Sequence, residues 1–549
     1  MRELQESLKR AIKDLFNVDV EPELTRPEEQ FGDYSTNVAM QLAAQLGKSS
    51  REIAQTLADK VQYAETVDKT QVAGPGFINF FISDKALLDS LNTQPSKELD
   101  GKEILVEFGD PNPFKEMHIG HLYSYIVGDA IAGLLEASGA TVRRLSYHGD
   151  VGLHVAKAVF GLRELKKPRQ GQEEDTAIEK EGYLGKAYAY GAKKYEEDEE
   201  SKEEIDKINL KIYEGDDPQI NNLHQAGINL SFDYFDKILD LLSINNDKRY
   251  LESQTIPAGK ELVEKNLDSV FKQSQGAIVY EGEKVGLHTR VFITSKGLPT
   301  YETKDLGLTV LKDKDYPQAS RSIIITANEQ SEYFKVMLAA LAEINADLAK
   351  KTTHLSHGFL SLTTGKMSSR LGDVYPAMKL LLEVKAAVHE QYPDSQVRKE
   401  VTFGAVKYAF LKHRLGSDIT IDIEESISLE GNSGPYLQYA FARANSILQK
   451  VDIGQQAGDD SLTLQTGERS LTRKLSEYQE VVVKATDELM PHHIATYLYE
   501  LAQNFNRFYE SSRIIGDERE VLRLKLVESY AQVLKNGLQL LNIPVVEKM

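Results

Sequence analysis

The chain has 549 residues, of which 41% are hydrophobic and 27% charged, a composition typical of a soluble globular protein. It contains no cysteine, which excludes disulfide bonds, thiolate zinc sites and cysteine nucleophiles. Its formal net charge of −19 excludes bulk positive charge as the means of holding nucleic acid, so a nucleic-acid partner would need local basic patches. Since no apolar run is long enough to cross a membrane and no secretory signal opens the chain, we expect a cytoplasmic protein.

The first part of the chain, residues 1–97, has the pattern of a small α/β domain. Helical periodicity is followed by a strand pattern at 72–82 that contains the turn residues Gly74-Pro75-Gly76. The helical patterns cover 4–16, 35–46 and 51–61. Residues 98–103 are polar and indicate a linker.

Residues 98–375 have the pattern of a parallel sheet interrupted by an insertion. A strand at 104–108, a helix from 119 and a strand at 142–147 form one βαβ unit. We predict an insertion at about 166–285, which includes the acidic stretch 195–200. Further strands of the parallel sheet are predicted at 291–294, 323–325 and 357–362, with helices at 306–311 and 333–344.

The last part of the chain, residues 376–549, shows no convincing strand pattern and is predicted to be an α-helical domain. Its helical periodicities cover 376–415, 434–450, 470–489, 491–510 and 518–541. The predicted fold is therefore multidomain α/β, with a parallel-sheet domain between a small α/β domain and a helical domain.

The segment His118-Ile119-Gly120-His121 lies where the first strand of the βαβ unit leads into a helix. At a helix N-terminus the free N–H groups and the helix dipole favour anions. Gly120 has no side chain, so a base or phosphate can approach the backbone. A second segment, Gly365-Lys366-Met367-Ser368-Ser369-Arg370, follows a later strand pattern and offers a lysine to a polyphosphate.

Together these segments resemble the HIGH and KMSKS signatures of class I aminoacyl-tRNA synthetases, which implies a Rossmann-type catalytic domain and ATP with Mg²⁺ as substrate. The resemblance implies catalytic roles for Lys115, His118, His121 and Lys366. It implies ATP contacts for His118, Gly120, His121, Lys366, Met367 and Ser368. The alternative is a helix-capping histidine pair and an ordinary basic loop. No protein-bound metal site is expected, since His492-His493 fits the start of a solvated helix better than a ligand pair.

The residues before the first motif, 107–117, resemble the arginyl-tRNA synthetase pattern of a strand carboxylate, a Pro-Asn pair and a lysine. The match extends to Glu107, Asn112, Lys115 and His118. That family often has two serines where this chain has Gly109-Asp110. The second KMSKS lysine is replaced here by Ser369, and in much of the family a lysine at the position of Lys115 is thought to compensate.

Further matches concern the amino-acid substrate. Tyr301 and Asp305 are four residues apart, so on a helix they share one face. A carboxylate is the natural partner of the planar guanidinium of arginine. The resemblance implies that Glu107, Asn112, His118, Tyr301, Asp305 and Gln330 bind arginine. Singly, each carboxylate or phenol could instead be part of an exposed strand end or a solvated helix face.

The flanking domains also resemble that family. Residues 1–97 resemble its N-terminal additional domain, which binds the D-loop corner of tRNA, and the resemblance implies that Phe77 and Asn79 face the tRNA. Residues 376–549 resemble its anticodon-binding domain, where Tyr436, Tyr439 and Arg443 offer stacking and a cation for splayed bases. The alternative is that the tyrosines, at helical spacing, belong to the core.

The resemblance implies an arginine–tRNA ligase, which activates arginine with ATP to arginyl-adenylate and transfers it to the 3′-terminal adenosine of tRNA(Arg). The family generally needs bound tRNA for activation, and we expect a monomer. One alternative is a class I synthetase of the cysteine or glutamate type. Another is a non-catalytic tRNA-binding paralogue, which would be expected to lose motif residues.

Overall fold

The computed structural model describes residues 2–60, 66–91, 95–165, 177–363, 375–451 and 463–549. The helices are α1 (Arg2–Phe16), α2 (Val38–Leu46), α3 (Ser50–Lys60), α4 (Asp84–Asp89), α5 (Ile119–Ala137), α6 (Leu153–Glu164), α7 (Ala177–Glu197), α8 (Glu199–Glu214), α9 (Pro218–Leu242), α10 (Glu252–Lys265), α11 (Tyr301–Asp315), α12 (Ser331–Ile344), α13 (Ala346–Lys351), α14 (Ala377–Gln391), α15 (Arg398–Leu411), α16 (Ile423–Ile427), α17 (Gly434–Leu448), α18 (Thr466–Ser476), α19 (Tyr478–Glu488), α20 (His492–Ser511) and α21 (Glu520–Leu540). The strands are β1 (Tyr34–Thr36), β2 (Val67–Ala73), β3 (Phe77–Ile82), β4 (Glu103–Glu107), β5 (Thr141–His148), β6 (Lys248–Leu251), β7 (Lys272–Ser274), β8 (Ala277–Tyr280), β9 (Arg290–Ile293), β10 (Ala319–Ala327), β11 (Thr352–His357), β12 (Leu360–Leu362) and β13 (Ile419–Ile421).

The N-terminal unit is a three-stranded antiparallel sheet, order β1-β3-β2, covered by α1, α2 and α3. The predicted strand at 72–82 is in fact a hairpin, because Gly74 and Gly76 have positive φ values of 53° and 136° and turn the chain between β2 and β3. The predicted helix at 35–46 begins three residues late. Ser35 pairs with Asn79 in the sheet, so that part of the pattern is strand β1.

The central domain contains a five-stranded parallel sheet of order β11-β10-β4-β5-β6. Strand β4 lies in the middle, and Ile104, Leu105 and Val106 are all buried, as expected for a strand covered on both faces. Helix α5 crosses from β4 to β5, which confirms the predicted βαβ unit. The carboxyl ends of β4 and β10 therefore meet at one edge of the sheet, beside the N-terminus of α5.

Two strand predictions and the extent of the predicted insertion differ from the structure. The predicted insertion, 166–285, supplies β6, which pairs in parallel with β5, so part of that span belongs to the sheet. The strand predicted at 291–294 exists as β9 but lies in a separate antiparallel sheet with β7 and β8. The strand predicted at 357–362 is two strands, since β11 ends at His357 and β12 pairs with β13, which was not predicted. A strand of three or four residues has too little periodicity to reveal its partner.

Within residues 375–451 and 463–549 the structure is helical apart from β13, and α14 to α21 share one buried cluster with α5 and the parallel sheet. The predicted helix at 376–415 is divided into α14 and α15 by residues 392–397. Because the cluster is continuous, the helices are fixed directly to the layer that carries the His118 segment.

The N-terminal unit is joined to the helical domain through charged side chains. Asp33, which is buried, is 2.9 Å from Nη2 of Arg469 and 3.3 Å from Nε of Arg473, both on α18. The Ile82 N–H donates to the same carboxylate at 2.7 Å. Arg26 binds Glu480 of α19 with two hydrogen bonds of 3.0 and 2.8 Å. These contacts set the N-terminal sheet against α18 and α19.

Replacing Asp33 by asparagine should destabilise this junction, because two arginines lose their buried countercharge. Removing one partner of a buried ion pair typically costs about 3–5 kcal/mol. We expect the free energy of unfolding, measured by urea denaturation, to fall by roughly that amount. Lys9→Gln is the matched control, because its partner Glu21 and Lys9 itself are both exposed, and such pairs contribute about 0–1 kcal/mol. Equal losses in the free energy of unfolding for Asp33→Asn and Lys9→Gln would contradict the stabilising role of Asp33 at this junction.

Candidate active site

The turn between β4 and α5 holds most of the candidate residues, and its backbone is tightly constrained. Gly109 has φ 92°, and a Cβ atom there would lie 2.3 Å from Cζ of Tyr125. Its N–H donates to Oγ of Ser124 at 2.9 Å, and that hydroxyl donates to the Ile325 carbonyl at 3.1 Å. The turn is thereby fixed to α5 and to β10 at once.

His118 is the N-cap of α5, and its Nδ1 accepts the N–H groups of Gly120 and His121 at 3.1 and 3.4 Å. In return, Nδ1 of His121 accepts the His118 N–H at 3.4 Å, and the two rings stack with centroids 3.6 Å apart. Since both Nδ1 atoms are acceptors, this hydrogen-bond network assigns the proton to Nε2 of each ring. His118 therefore caps the helix, and both Nε2–H groups remain as donors.

Both histidines are held neutral. Burial lowers the pKa of His118 to about 4, and the neighbouring His357 and Lys115 further disfavour a positive charge there. Burial, together with the proximity of His118, lowers the pKa of His121 well below its ordinary value. Partial burial also lowers the pKa of Lys115, whose Nζ lies 5.7 Å from the ring of Tyr188. At neutral pH the pair can donate hydrogen bonds to an anion without adding charge.

Two carboxylates meet at the same edge of the sheet. Glu107, at the end of β4, is buried and forms an ion pair with Lys312 of α11. Asp305 is only 7% exposed, and the hydroxyl of Tyr333 lies beside it. Burial, together with the negative charge of Glu107, raises the pKa of Asp305 to about 8. In the described part of the chain, Asp305 has no cation within ion-pair distance, so it is a carboxyl group that a bound cation would ionise.

The other residues predicted to bind the arginine substrate differ in their exposure to solvent. Tyr301 and Asp305 are both on α11, four residues apart, and Tyr301 is 64% exposed whereas Asp305 is buried. Its ring carries Nζ of Lys304 at 4.7 Å. Gln330 is exposed and accepts the Tyr333 hydroxyl at 3.4 Å. Oδ1 of Asn112 accepts the Gly149 N–H at 3.0 Å and orients the neighbouring loop.

Sequence reasoning missed Tyr333 and Lys312. Lys312 is seven residues after Asp305, two turns along the same face of α11, so the spacing could have identified it. Tyr333 comes from α12, and no pattern in the sequence indicates that it lies beside Asp305. Lys366, Met367 and Ser368, predicted to contact ATP, lie outside the described residues.

Of the residues predicted to contact tRNA, some are exposed and others are buried. Phe77 is exposed, but Asn79 is only 6% exposed and its Oδ1 accepts the Ser35 hydroxyl at 2.7 Å. The structure corrects the prediction that Asn79 faces outward, because this hydrogen bond holds it between strands β1 and β3. On α17, Tyr439 is exposed, Tyr436 is half-buried, and the guanidinium of Arg443 lies 4.3 Å from the ring of Tyr509.

Comparison with known proteins decides the family. The family model "tRNA synthetases class I (R), catalytic domain" matches residues 84–422. The chain belongs to the arginyl-tRNA synthetase family. The model "Arginyl tRNA synthetase N terminal domain" matches residues 2–82, and "DALR anticodon binding domain" matches residues 437–549. The catalytic match runs past the predicted boundary at 375, through α14, α15 and β13.

Relatives in this family align over the whole chain. The arginine–tRNA ligase of Fusobacterium nucleatum is 30% identical, covering 100% of this chain and 99% of its own. That of Porphyromonas gingivalis is 28% identical with full coverage of both. The arginyl-tRNA synthetase structure from Thermus thermophilus is 28% identical and superposes with a TM-score of 0.85 over both full chains. The Plasmodium falciparum structure, at 20% identity and TM-score 0.84, shares the fold.

The predicted enzyme class is confirmed: the chain is a class I aminoacyl-tRNA synthetase with the function of an arginine–tRNA ligase. Membership of the family implies that it uses ATP, arginine and tRNA. None of the helices within the described ranges has the length and apolarity needed to span a bilayer.

The neutral state of His118 can be measured. Because its pKa is about 4, long-range ¹H–¹⁵N spectra of histidine-labelled protein should show the Nε2–H tautomer unchanged as the pH falls from 8 to about 5. His118→Gln identifies the signal by its loss. A signal that titrates near the ordinary histidine pKa, or one that carries its proton on Nδ1, would contradict the capping geometry.

Proposed function

We propose that Asp305 binds the guanidinium group of arginine during the ligase reaction. The observation that carries this proposal is a buried carboxyl group with a raised pKa and no cation beside it in the described structure. A guanidinium forms paired hydrogen bonds with a carboxylate and repays the cost of burying its charge. Tyr333 supports the proposal because its hydroxyl group lies beside Asp305 and adds a second polar group there.

We further propose that the histidine pair acts on ATP. The Nε2–H groups of His118 and His121 would donate to phosphate oxygens as the arginine carboxylate attacks the α-phosphorus and pyrophosphate leaves. A 3′-terminal ribose hydroxyl of tRNA then attacks the carbonyl carbon, and AMP leaves. Positioning and charge stabilisation, rather than covalent catalysis, dominate such a phosphoryl step. Lys115 and Lys366 are the proposed cations, Gly120, Met367 and Ser368 the proposed ATP contacts, and Mg²⁺ enters with ATP.

For the remaining contacts, we propose that Glu107, Asn112, Tyr301 and Gln330 line the arginine site. Phe77 is the proposed contact of the N-terminal domain with tRNA, and Tyr436, Tyr439 and Arg443 are proposed to meet the anticodon. The proposed domains are residues 1–97, which bind the body of the tRNA, residues 98–375, which carry out catalysis, and residues 376–549, which bind the anticodon. We also propose that the enzyme acts as a monomer in the cytoplasm.

Asp305→Asn tests the guanidinium contact, since it keeps the shape of the side chain but removes its charge. Loss of one partner of a buried charged pair typically costs about 2–5 kcal/mol, so kcat/KM for arginine should fall at least about 30-fold. The assay is arginine-dependent ATP–pyrophosphate exchange with tRNA present and absent, which also tests the family's requirement for tRNA. Citrulline, which is neutral, should be rejected less strongly by the variant than by the parent.

The same proposal fixes the sign of a pH effect. Free Asp305, with a pKa of about 8, holds its proton at pH 7, and a bound guanidinium favours the ionised form. Arginine binding therefore releases a proton. In the parent, KM for arginine should fall as the pH rises from 6.5 to about 8, and in Asp305→Asn it should not change over this range. If Asp305→Asn had the same KM for arginine as the parent protein, with normal ATP and tRNA binding, the guanidinium would bind elsewhere.

Tyr439→Ala tests the anticodon surface. Stacking of a base on an aromatic ring contributes roughly 1–3 kcal/mol, so KM for tRNA should rise about fivefold or more while the arginine and ATP constants stay unchanged. Tyr439 is 40% exposed, so its loss should leave the far-ultraviolet circular dichroism intact. Tyr195→Ala, which removes a half-buried tyrosine of α7, is the control for loss of a tyrosine outside the helical domain. A melted C-terminal domain would mean that Tyr439 is a core residue.

A further inference from the structure

An apolar groove lies along α14 and α15, and it shares no lining residue with the candidate active site. Its volume is about 630 Å³, and its floor is formed by Met378, Leu381 and Leu382 of α14, Phe403 of α15 and Leu241 near the end of α9. Leu382 is 50% exposed and Leu241 is 36% exposed, although they come from distant parts of the chain. Single apolar residues are normal on a surface, but apolar side chains gathered in one groove indicate a binding surface.

The groove follows one face of α14 for most of the length of that helix. Its lining residues on α14, from Met378 to His389, recur three and four residues apart, which is the spacing of a single helix face. At a rise of about 1.5 Å per residue, this face is about 16 Å long, or about three helical turns. A groove of this length accepts a helix laid along it, whose apolar side chains at i, i+3, i+4 and i+7 enter the groove.

One end of the groove is cationic. Lys385 is in the second half of α14, and Arg398 and Lys399 begin α15, so these three cations lie towards the turn that joins the two helices. Among the described residues that line the groove none is acidic, in a chain with 84 acidic residues and 65 lysines and arginines. Within the described ranges the three cations form no ion pair, whereas Lys412, after the end of α15, pairs with Glu425 at 2.6 Å. The charge that complements this end of the groove is therefore negative.

The floor of the groove favours a protein partner over a nucleic acid. Splayed bases bind by stacking on aromatic rings. Phe403 is the one aromatic residue of this floor, and Nζ of Lys399 lies 5.7 Å from its ring centre. The other floor residues are leucines and a methionine, and such side chains pack against the apolar face of a helix.

We propose that this groove is a docking site for an acidic amphipathic helix of another protein. The apolar stripe of that helix packs on Leu241, Leu382 and Phe403. Acidic side chains at one end of the stripe contact Lys385 and Lys399. A single helix in a groove of this length buries a small area, which is typical of transient complexes.

A designed helix with this chemistry tests the proposal. The probe is a fluorescein-labelled, hydrocarbon-stapled helix of about four turns, with leucines at i, i+3, i+4 and i+7 and a run of glutamates at its N-terminal end. A second probe has lysines in place of the glutamates. With the full-length protein, fluorescence anisotropy should show at least about tenfold tighter binding of the glutamate probe than of the lysine probe. Lys385→Glu combined with Lys399→Glu should reverse this preference.

Leu382→Asp tests the apolar floor. It should weaken binding of the glutamate probe at least about tenfold, because it places a charge where the leucine stripe packs. Leu210→Asp is the matched control, since Leu210 is 49% exposed on α8 and its replacement should leave binding unchanged. Both variants should retain the parent's ATP–pyrophosphate exchange, which shows that they fold. The charge-reversed variant changes two exposed lysines and tests the proposal independently of any folding defect in Leu382→Asp.

The proposal fails if the glutamate probe does not bind the parent, binds Leu382→Asp equally well, or binds no more tightly than the lysine probe. A rise in KM for tRNA in the charge-reversed variant would assign the cations to tRNA binding and would also overturn it. Self-association of the parent that Leu382→Asp abolishes, measured by analytical ultracentrifugation, would make a second copy of this chain the occupant of the groove and would overturn it as well.

Discussion

The active site depends on the backbone of the turn between β4 and α5. Positive φ values at Gly109, Asp110 and Phe114 bring the chain from the centre of the sheet to the start of α5 in a short distance. A side chain at Gly109 would overlap the ring of Tyr125, and Phe114 lies against Gly227 of α9, where a Cβ atom would be 1.9 Å from its ring. Close packing on both sides holds this turn in one conformation, so Asp110, His118 and Asn112 have fixed positions before substrate binds.

The buried carboxylates of this enzyme fall into two groups, those that are paired with arginine side chains and those that are not. Glu468 accepts hydrogen bonds from both Arg519 and Arg523, and Asp33 lies between two arginines of α18, so these acids are satisfied within the protein. Asp305, at the sheet edge, is buried without such a partner in the described structure. Burial without a cation raises the free energy of the ionised form of Asp305, and the guanidinium contact proposed above depends on this.

The sequence predicted the long elements of the fold better than the short ones. Helices such as α17, α20 and α21 bury one face over many residues, so their periodicity is readable from the chain alone. Strands β6, β9 and β13 are three or four residues long, and their sheets are decided by pairing with distant segments. The predicted insertion was therefore drawn too widely, and β9 was assigned to the wrong sheet.

At the site, the sequence by itself determined the residue types and their local order: a histidine at the start of a helix, a glycine two residues after it, and a carboxylate at the end of a central strand. These follow from residues close together in the chain, through helix capping and backbone sterics. Only the tertiary structure decided that Lys312 pairs with Glu107, that Tyr333 lies beside Asp305, that Tyr301 is exposed and that Asn79 is buried. Those outcomes depend on which distant elements pack together, and packing of the whole core, rather than local pattern, fixes that choice.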